Sequence, residues 1–501
     1  MNYELITVSL YVITALAGLW ICLVRPQIFI PFLVLLLPTG NFSYEFGVTW
    51  TCWKLLLVVL VVTLPATYAR NDDVRGRFRL PALLLPFLLA VTASTFVAYA
   101  HDQASQIVSG VIGFDGLRGP AVRPVVQLLS LLLRIFVVVA VVAFVRTENA
   151  IHQVIKAVLI ASTLVSIYGL YQVAGYYMGW PIMGIQRAQQ DLSGGYGIFV
   201  VAGREVFRLG SFVGEPKEAA KFLLTSLSII VGVKVLGIKR LPAWLTSYWN
   251  LTLHAVALIL TFATSSFFGL AVAAPLVGIV WLGFIRRSRV QTFLAATVVL
   301  GLAVFILIRA VGTKEAERIY DARVVERVGE IDSPEGAALR FIGDHPNTLA
   351  TGIGLGNSSF YLRPYFTPDY YRPLTVSLNS SYLEILLEGG IAALLTLAIF
   401  LIGWLLRAMR LAKQLPRTEV AAILVLLVGV SLIVAANGAF SSTEGTGQIW
   451  LFWGLLITAC NIAQARRNSQ IPPLKAVNIR LVRRTAPRKP EMVVAGSNSS
   501  F

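Results

Sequence analysis

Charged residues and cysteine are scarce in this sequence. Asp, Glu, Lys and Arg together make up 13% of its 501 residues, whereas soluble domains carry about 25%. The three cysteines lie inside apolar runs and show no paired spacing, which excludes a disulfide framework and a cysteine-based zinc site. The low charge content excludes a soluble globular protein and an intrinsically disordered chain.

Long hydrophobic runs are what the sequence has instead. Hydrophobic residues make up 56% of the chain, and one helical membrane crossing takes about 20 of them. The sequence therefore predicts an all-α polytopic membrane protein with about 12–13 transmembrane helices. The candidate runs are 5–24, 27–45, 52–69, 81–100, 124–145, 153–178, 219–237, 249–265, 267–285, 291–309, 385–406, 418–437 and 448–465.

Lys and Arg are concentrated in short loops that fall on one side of this predicted topology. Such loops mark the cytoplasmic side, and they place the C-terminus in the cytoplasm. The segment 466–501 carries eight Lys and Arg against one Glu, a charge that attracts anionic lipid headgroups, and we do not expect nucleic acid as a partner. The basic loops are 70–79, 146–152, 239–240, 286–289 and 407–417.

Because successive helices cross the membrane in opposite directions, three longer loops face the outer side. These loops are 101–123, 179–218 and 310–384, and the last is the longest. The predicted organisation then has four units. The units are an N-terminal transmembrane bundle over 1–309, a large extracytoplasmic loop over 310–384 between the helices near 291–309 and 385–406, C-terminal transmembrane helices over 385–465, and a basic cytoplasmic tail over 466–501.

The 310–384 loop contains a charged segment and a glycine-rich segment, and each could serve either a structural role or anion binding. The charge pairs of 314–330 are typical of a solvated helix face, although its arginines are also suited to an anion. Downstream of Arg340 and His345, the run 352–357 contains glycine at every second position. Such a run either presents backbone N–H groups to an anion or forms a tight loop with positive φ.

Residues 360–373 combine six aromatic residues, Tyr365 among them, with Arg363 and Arg372. Aromatic faces can stack on sugar rings, and the guanidinium fork binds phosphate or carboxylate. The same composition is typical of an aromatic belt at a membrane interface. Both interpretations stay open.

Two acids, Glu384 and Glu388, stand where the chain returns to an apolar helix. Ser381 and Glu384 fit a capping box, which is a structural explanation for Glu384. Glu388 lies one turn further along the same face, at the membrane boundary, where a carboxylate is costly unless it is paired or functional. The alternatives for these acids are therefore a structural role and a catalytic one.

Arg204, Arg208 and Lys217 form a cationic group around Pro216. Proline is suited to the first position of a helix, and the N-terminus of a helix is a favourable seat for pyrophosphate.

Arg123, Gln127 and Arg134 share one stripe of another apolar run. Arg134 lies about 16 Å along the helix from Arg123, near mid-membrane. An arginine at that depth is a functional candidate unless a structural partner holds it.

Three segments in this order resemble the O-antigen ligase/O-antigen polymerase superfamily. They are Arg208-Leu-Gly-Ser-Phe with Pro216, then Asp344-His345-Pro346 with Gly352-Ile-Gly-Leu-Gly-Asn357, then Asn379-Ser-Ser-Tyr382-Leu-Glu384 with Glu388-Gly-Gly390. The resemblance implies a glycosyltransferase of the bacterial inner membrane, with the 310–384 loop in the periplasm. It implies a glycan on undecaprenyl pyrophosphate as donor and an acceptor hydroxyl at the outer face of that membrane.

This chemistry needs cations for the pyrophosphate and a base for the acceptor hydroxyl. We expect no cofactor and no metal. The candidate bases are Glu388, Glu384 and His345. The candidates for binding pyrophosphate or substrate are Arg204, Arg208, Lys217, Arg340, Arg123, Arg134, Arg363, Arg372, Asn379, Tyr382 and Tyr365.

Two positions depart from the ligase pattern of the superfamily. Leu378 stands where ligases carry a histidine before Asn379, and Phe267 follows Thr264-Ser265-Ser266 where Ser-Arg is usual. We therefore expect a polymerase of O-antigen or exopolysaccharide repeat units.

The enzymatic alternative is a ligase that transfers a finished glycan to lipid A core or to protein. The non-enzymatic alternative is a lipid-linked sugar flippase or transporter, which often shows an internal repeat that we do not find here. The expected partners are the undecaprenyl-pyrophosphate-linked glycan, membrane lipids, and a chain-length regulator and flippase of the same pathway.

Overall fold

The structure, a computed structural model, is that of an α-helical multi-pass membrane protein. Eight of the described helices are long and apolar enough to cross a membrane. The structure describes residues 3–46, 48–70, 78–100, 119–182, 198–201, 204–284, 333–365, 378–415, 418–440 and 447–470.

The helices of the described part are numbered in chain order. They are α1 (Tyr3–Val24), α2 (Phe29–Leu36), α3 (Cys52–Arg70), α4 (Leu85–Ala100), α5 (Arg123–Phe144), α6 (Glu148–Met178), α7 (Pro216–Leu236), α8 (Tyr248–Leu260), α9 (Thr264–Leu282), α10 (Pro334–Asp344), α11 (Thr348–Thr351), α12 (Ser358–Tyr361), α13 (Ser381–Gln414), α14 (Glu419–Phe440) and α15 (Gly447–Gln470).

The predicted apolar runs in the described ranges each contain a helix, and the run 291–309 lies outside those ranges. In the described part, eight helices reach the length of a membrane crossing and four apolar helices are shorter, so the count of about 12–13 crossings stays a prediction. The run 27–45 was predicted too long, because α2 ends at Leu36. Pro38 lacks a backbone N–H and Gly40 is a poor helix former, so the helix stops before them. The runs 249–265 and 267–285 are confirmed as separate helices, since α8 ends at Leu260 and α9 begins at Thr264.

Two antiparallel hairpins interrupt the helices. Strand β1 (Tyr44–Phe46) pairs with β2 (Val48–Trp50), and β3 (Ile198–Val201) pairs with β4 (Arg204–Phe207). The segment after β4 is fixed to α6, because the Ser211 N–H donates to Gln172 Oε1 at 2.7 Å.

Helix α13 is broken at Gly390, which has φ +75° and ψ 177°. The break leaves the backbone carbonyls of Leu387 and Glu388 without the usual helical partners. The glycine-rich loop after α11 supplies partners, since the N–H groups of Ile353 and Gly354 donate to these carbonyls at 3.0 and 2.9 Å. Hydrogen bonds between backbone groups therefore attach the loop to α13.

Ion pairs join α6, α14, α15 and the segment after α7 at one end of the bundle. Glu419 contacts His152 at 3.0 Å and Arg240 at 3.1 Å, and Arg466 contacts Glu148. Glu148, His152, Arg240 and Arg466 come from segments that the charge pattern assigned to one side, and Glu419 follows the basic loop 407–417. That this side is the cytoplasm stays a prediction.

The backbone at Gly390 predicts that Gly390→Ala destabilises the protein. An added Cβ would lie 2.9 Å from the Ala350 carbonyl oxygen and from the Gly352 nitrogen, and the strained backbone alone costs about 1–3 kcal/mol. Gly343→Ala on α10 is the matched control, because its Cβ meets no atom within 4 Å and alanine favours a helix by about 1 kcal/mol. The measurement is the apparent melting temperature of purified protein by tryptophan fluorescence. A Gly390→Ala protein that melts as high as the control would contradict the account of the break.

Candidate functional site

A cavity lies between α4, α5, α13, α14 and α15, under the glycine-rich loop. Its polar wall residues are Gln127, Arg134, Ser381, Tyr382, Glu384 and Glu388. Its apolar wall includes Phe87, Leu131, Leu397, Leu401, Ile449, Trp450 and Trp453.

Two acids of this wall, Glu384 and Glu388, lie one helical turn apart on the part of α13 that precedes the break. Their exposed fractions are 9% and 4%. The predicted capping box at Ser381 and Glu384 is wrong by one residue. Ser380 is the N-cap, because its hydroxyl accepts from the Leu383 N–H at 3.3 Å. Glu384 is therefore one position beyond the place that a capping box requires.

Glu388 is oriented by α12. Its Oε1 accepts a hydrogen bond from the Ser358 hydroxyl at 2.7 Å and another from the Ser358 N–H at 3.3 Å. The same residue also contributes its backbone carbonyl to the loop contact and to the hydroxyl of Ser94 on α4. Side chain and backbone of Glu388 thus join α4, α12 and α13.

The polar stripe predicted on α5 faces this site. Gln127 and Arg134 line the cavity, and the Arg134 guanidinium donates to Ser130 Oγ at 3.3 Å. Arg123 lies under the loop, with its guanidinium carbon 5.4 Å from the centre of the Phe360 ring. A Cβ at Gly356 would lie 2.6 Å from Gln127 Cγ and 3.1 Å from Arg123 Nε. Glycine at this position lets the loop pack directly on the stripe.

The tight-loop interpretation of the glycine run is confirmed. Gly352, Gly354 and Gly356 have φ values of +72°, +85° and +73°. The N–H groups of residues 352 to 354 donate to backbone carbonyls. They therefore do not form the anion-binding group that was the alternative.

Arg208 and Arg340 do not line the cavity. The Arg208 guanidinium donates to the carbonyl oxygens of Thr261 and Phe262 at 3.1 and 3.5 Å. Arg340 donates to the carbonyl oxygen of Tyr365 at 2.7 Å. Both contacts fix backbone turns, and a role of either arginine in pyrophosphate binding stays a prediction.

Lys217 and Asn379 connect the start of α7 to the start of α13. Lys217 Nζ donates to Asn379 Oδ1 at 2.9 Å. The backbone N–H of Asn379 donates to Glu335 Oε1 at 2.6 Å, so α10 joins the same contact. Pro216 is the first residue of α7, as predicted.

The remaining candidates lie on or beside the 333–365 segment. His345 is exposed, with its ring 4.9 Å from that of Phe341. Tyr365 and Arg363 are half-buried outside the cavity wall. Partial burial, together with the nearby Asp344 carboxylate, raises the pKa of the Tyr365 hydroxyl above its ordinary value.

Tyr382 does line the cavity, and its hydroxyl donates to the Ala435 carbonyl at 2.7 Å. Arg204 is the first residue of β4, paired with Val201. Arg372 and the aromatic residues 366–371 lie outside the described residues.

Sequence reasoning missed the aromatic wall formed by Phe87, Trp450 and Trp453. The spacing of Trp450 and Trp453 is helical, a signal that by itself predicts only a packed face. The cavity is visible only when α4 and α15 are placed beside α5.

Comparison with known proteins leaves the resemblance as a hypothesis. No protein-family model matches the chain, and no curated protein is significantly similar to it. Within the described ranges, no group of three or more His, Cys, Asp or Glu side chains is arranged to hold a metal ion. The expectation that no metal is needed stays a prediction.

The contact between Ser358 and Glu388 predicts a difference between two adjacent serines. Ser358→Ala removes a hydrogen bond to a buried carboxylate and should cost about 2 kcal/mol. Ser359→Ala is the matched control, since the buried Ser359 donates to the neutral Gly356 carbonyl at 3.3 Å rather than to a carboxylate. Apparent melting temperatures should fall further for Ser358→Ala, and the difference should become smaller in a Glu388→Gln background, because the amide oxygen is a weaker, uncharged acceptor. Equal shifts in both backgrounds would mean that Ser358 does not stabilise Glu388.

Proposed function

We propose that this chain is a membrane glycosyltransferase that polymerises oligosaccharide repeat units carried on undecaprenyl pyrophosphate. The observation that carries the proposal is that two buried acids and one buried arginine line a single cavity among apolar helices. Ionisable groups are costly in such surroundings, and where they occur they commonly belong to a functional site. The residues are Glu384, Glu388 and Arg134.

The cavity wall matches the two chemical parts of a lipid-linked sugar. Apolar residues of α13 and α15, including Leu397, Leu401 and Trp453, suit an isoprenoid chain. Glu384 and Glu388 lie before the break in α13, beside the loop, where a polar head would meet them. The mixed wall therefore favours an amphipathic substrate over a wholly water-soluble one.

The reaction follows from these groups. An acceptor hydroxyl oxygen attacks the anomeric carbon of the donor and forms the new glycosidic bond, while the bond from that carbon to the pyrophosphate oxygen breaks. A carboxylate takes the hydroxyl proton as general base. Arg134 stabilises the negative charge that develops on the departing pyrophosphate. Glu388 is the leading candidate for the base, because Ser358 holds its carboxylate in place.

The wider setting belongs to the same proposal. We place the protein in the bacterial inner membrane with its basic tail in the cytoplasm and the 310–384 loop in the periplasm. Polymer growth would then occur at the outer face, with a flippase supplying the lipid-linked units and a chain-length regulator acting on the product.

Glu388→Gln should abolish chain extension, because the amide cannot accept the proton from the acceptor. A loss of 100-fold or more is expected for a general base. The measurement is polymer length after expression in a deletion strain, with protein level in the membrane determined in parallel. Glu4→Gln, at an exposed position near the start of α1, is the control and should leave polymer length unchanged. Normal polymer from Glu388→Gln would exclude Glu388 as the base, and Glu384→Gln then tests the second acid.

Arg134→Gln should reduce chain extension at least tenfold, since it removes the cation that faces the leaving group. Arg407→Gln serves as the control, because Arg407 is exposed on α13 and stacks on Trp404 rather than facing the cavity. The rate is read as product formed per minute by protein reconstituted with lipid-linked repeat units. Equal rates for the two variants would exclude the proposed role of Arg134.

The products separate this proposal from its two alternatives. Deletion of a polymerase leaves single repeat units on the acceptor, whereas deletion of a ligase leaves unattached polymer on the lipid carrier. Translocation in reconstituted vesicles without a new glycosidic bond would instead indicate a flippase.

A further inference from the structure

The connection between α7 and α8 presents aromatic rings and cations at the surface of the bundle. Trp244, Tyr248 and Trp249 are 57%, 49% and 80% exposed. Lys239 is exposed on the same connection, and Lys234 Nζ lies 3.9 Å from the centre of the Tyr248 ring. We call these five residues the α7–α8 patch.

The backbone under the α7–α8 patch is firmly attached to the bundle. Ser247 is the N-cap of α8, since its hydroxyl accepts from the Asn250 N–H at 3.1 Å. The Ser247 hydroxyl also donates to the Trp244 carbonyl, and the Asn250 amide donates to the Leu245 carbonyl, both at 2.8 Å. Leu241 and Leu245 are buried. The leucines therefore hold the connection against the helices while its aromatic rings point outward.

The α7–α8 patch lies at the end of the bundle that carries the ion pairs. Arg240 of the same connection pairs with Glu419 at the start of α14, at 3.1 Å. The apolar helices stop here, because α7 ends at Leu236 and α8 begins at Tyr248. Exposed Trp and Tyr at the ends of apolar helices are typical of the membrane–water interface. Lipid headgroups are therefore the groups that would meet the patch.

The charge of the α7–α8 patch distinguishes between headgroups. Residues 234 to 250 contain three cations and no acid. One of the three, Arg240, is paired with Glu419, which leaves the charges of Lys234 and Lys239 to the patch. A lysine at a membrane surface strengthens the attraction of anionic lipid about fivefold. A zwitterionic headgroup carries no net charge and gains no comparable attraction.

We propose that the α7–α8 patch binds the headgroup of an anionic phospholipid. Lys234 and Lys239 contact the phosphate oxygens, because ammonium groups donate charge-assisted hydrogen bonds to phosphate. The rings of Trp244 and Trp249 pack against the glycerol and the upper part of the acyl chains, since an indole has an apolar body and one polar N–H. This lipid site is independent of the proposed transferase reaction.

The first experiment locates the lipid in the unaltered protein. Full-length protein is placed in phosphatidylcholine nanodiscs with a small fraction of phosphatidylglycerol that carries a diazirine at the start of one acyl chain. After irradiation, mass spectrometry should find label on residues 234 to 249, about threefold or more above that left by the matching phosphatidylcholine probe. Unlabelled phosphatidylglycerol should compete, and soluble glycerol phosphate should not.

Three results of this labelling would overturn the proposal. Equal labelling by the two probes would indicate a non-selective aromatic belt. Label on other segments only would place the anionic lipid elsewhere. Competition by glycerol phosphate would indicate a site for free phosphate rather than for a lipid.

The second experiment tests the two lysines. Native mass spectrometry measures how much phosphatidylglycerol the protein retains from an equal mixture with phosphatidylcholine. Lys234→Gln and Lys239→Gln should each reduce this retention about fivefold. Lys413→Gln is the matched control for Lys234→Gln, because each lysine lies in the last turn of an apolar helix and only Lys234 belongs to the patch. Equal retention by these two variants would overturn the proposal.

The third experiment tests the rings by the same measurement. Trp249→Ala should reduce retention of phosphatidylglycerol about threefold, because the lipid loses its contact with the indole. Trp180→Ala is the control, since Trp180 is 45% exposed and follows the end of α6 opposite to Glu148 and its ion pair. Equal retention by the two variants would overturn the assignment of the rings to the lipid.

Discussion

The backbone pairing between the glycine-rich loop and the broken end of α13 is the interaction on which the site depends. Unpaired carbonyls among apolar helices cost several kcal/mol each, so the break at Gly390 requires partners close by. Ile353 and Gly354 provide them. Once the loop is held there, Ser358 reaches the carboxylate of Glu388 and Gly356 packs against Arg123. The position of the acids in the cavity is a consequence of this pairing.

Features that depend on local sequence could be predicted. Hydropathy predicted the positions of the apolar helices, because a crossing must be long and apolar in its own right, and eight of the described helices meet that requirement. Helical periodicity placed Gln127 and Arg134 on one face, and both line the cavity. The cost of a carboxylate at the edge of an apolar helix selected Glu388, whereas Glu384 also had a capping box as an alternative explanation, which the N-cap at Ser380 contradicts.

Features that depend on contacts between distant segments could not be predicted. Arg208 has the appearance of an anion ligand in the sequence, but two carbonyls at the end of α8, more than fifty positions away, hold its guanidinium. The N-cap fell on Ser380 rather than Ser381, because backbone conformation decides between adjacent serines. The tryptophans of α15 gained a role as cavity wall only through their position beside α4 and α5.

The break in α13 also separates the part of the helix that crosses the membrane from the part that positions the two acids. A continuous helix of its 34 residues would be about 51 Å long, whereas the hydrocarbon core measures about 30 Å. The part after Gly390 is sufficient to cross alone, and it can tilt to match bilayers of different thickness. The turn that carries Glu384 and Glu388 is instead held in position by hydrogen bonds to the glycine-rich loop and to α12. Adjustment of the spanning part to its lipid surroundings need not displace the two acids.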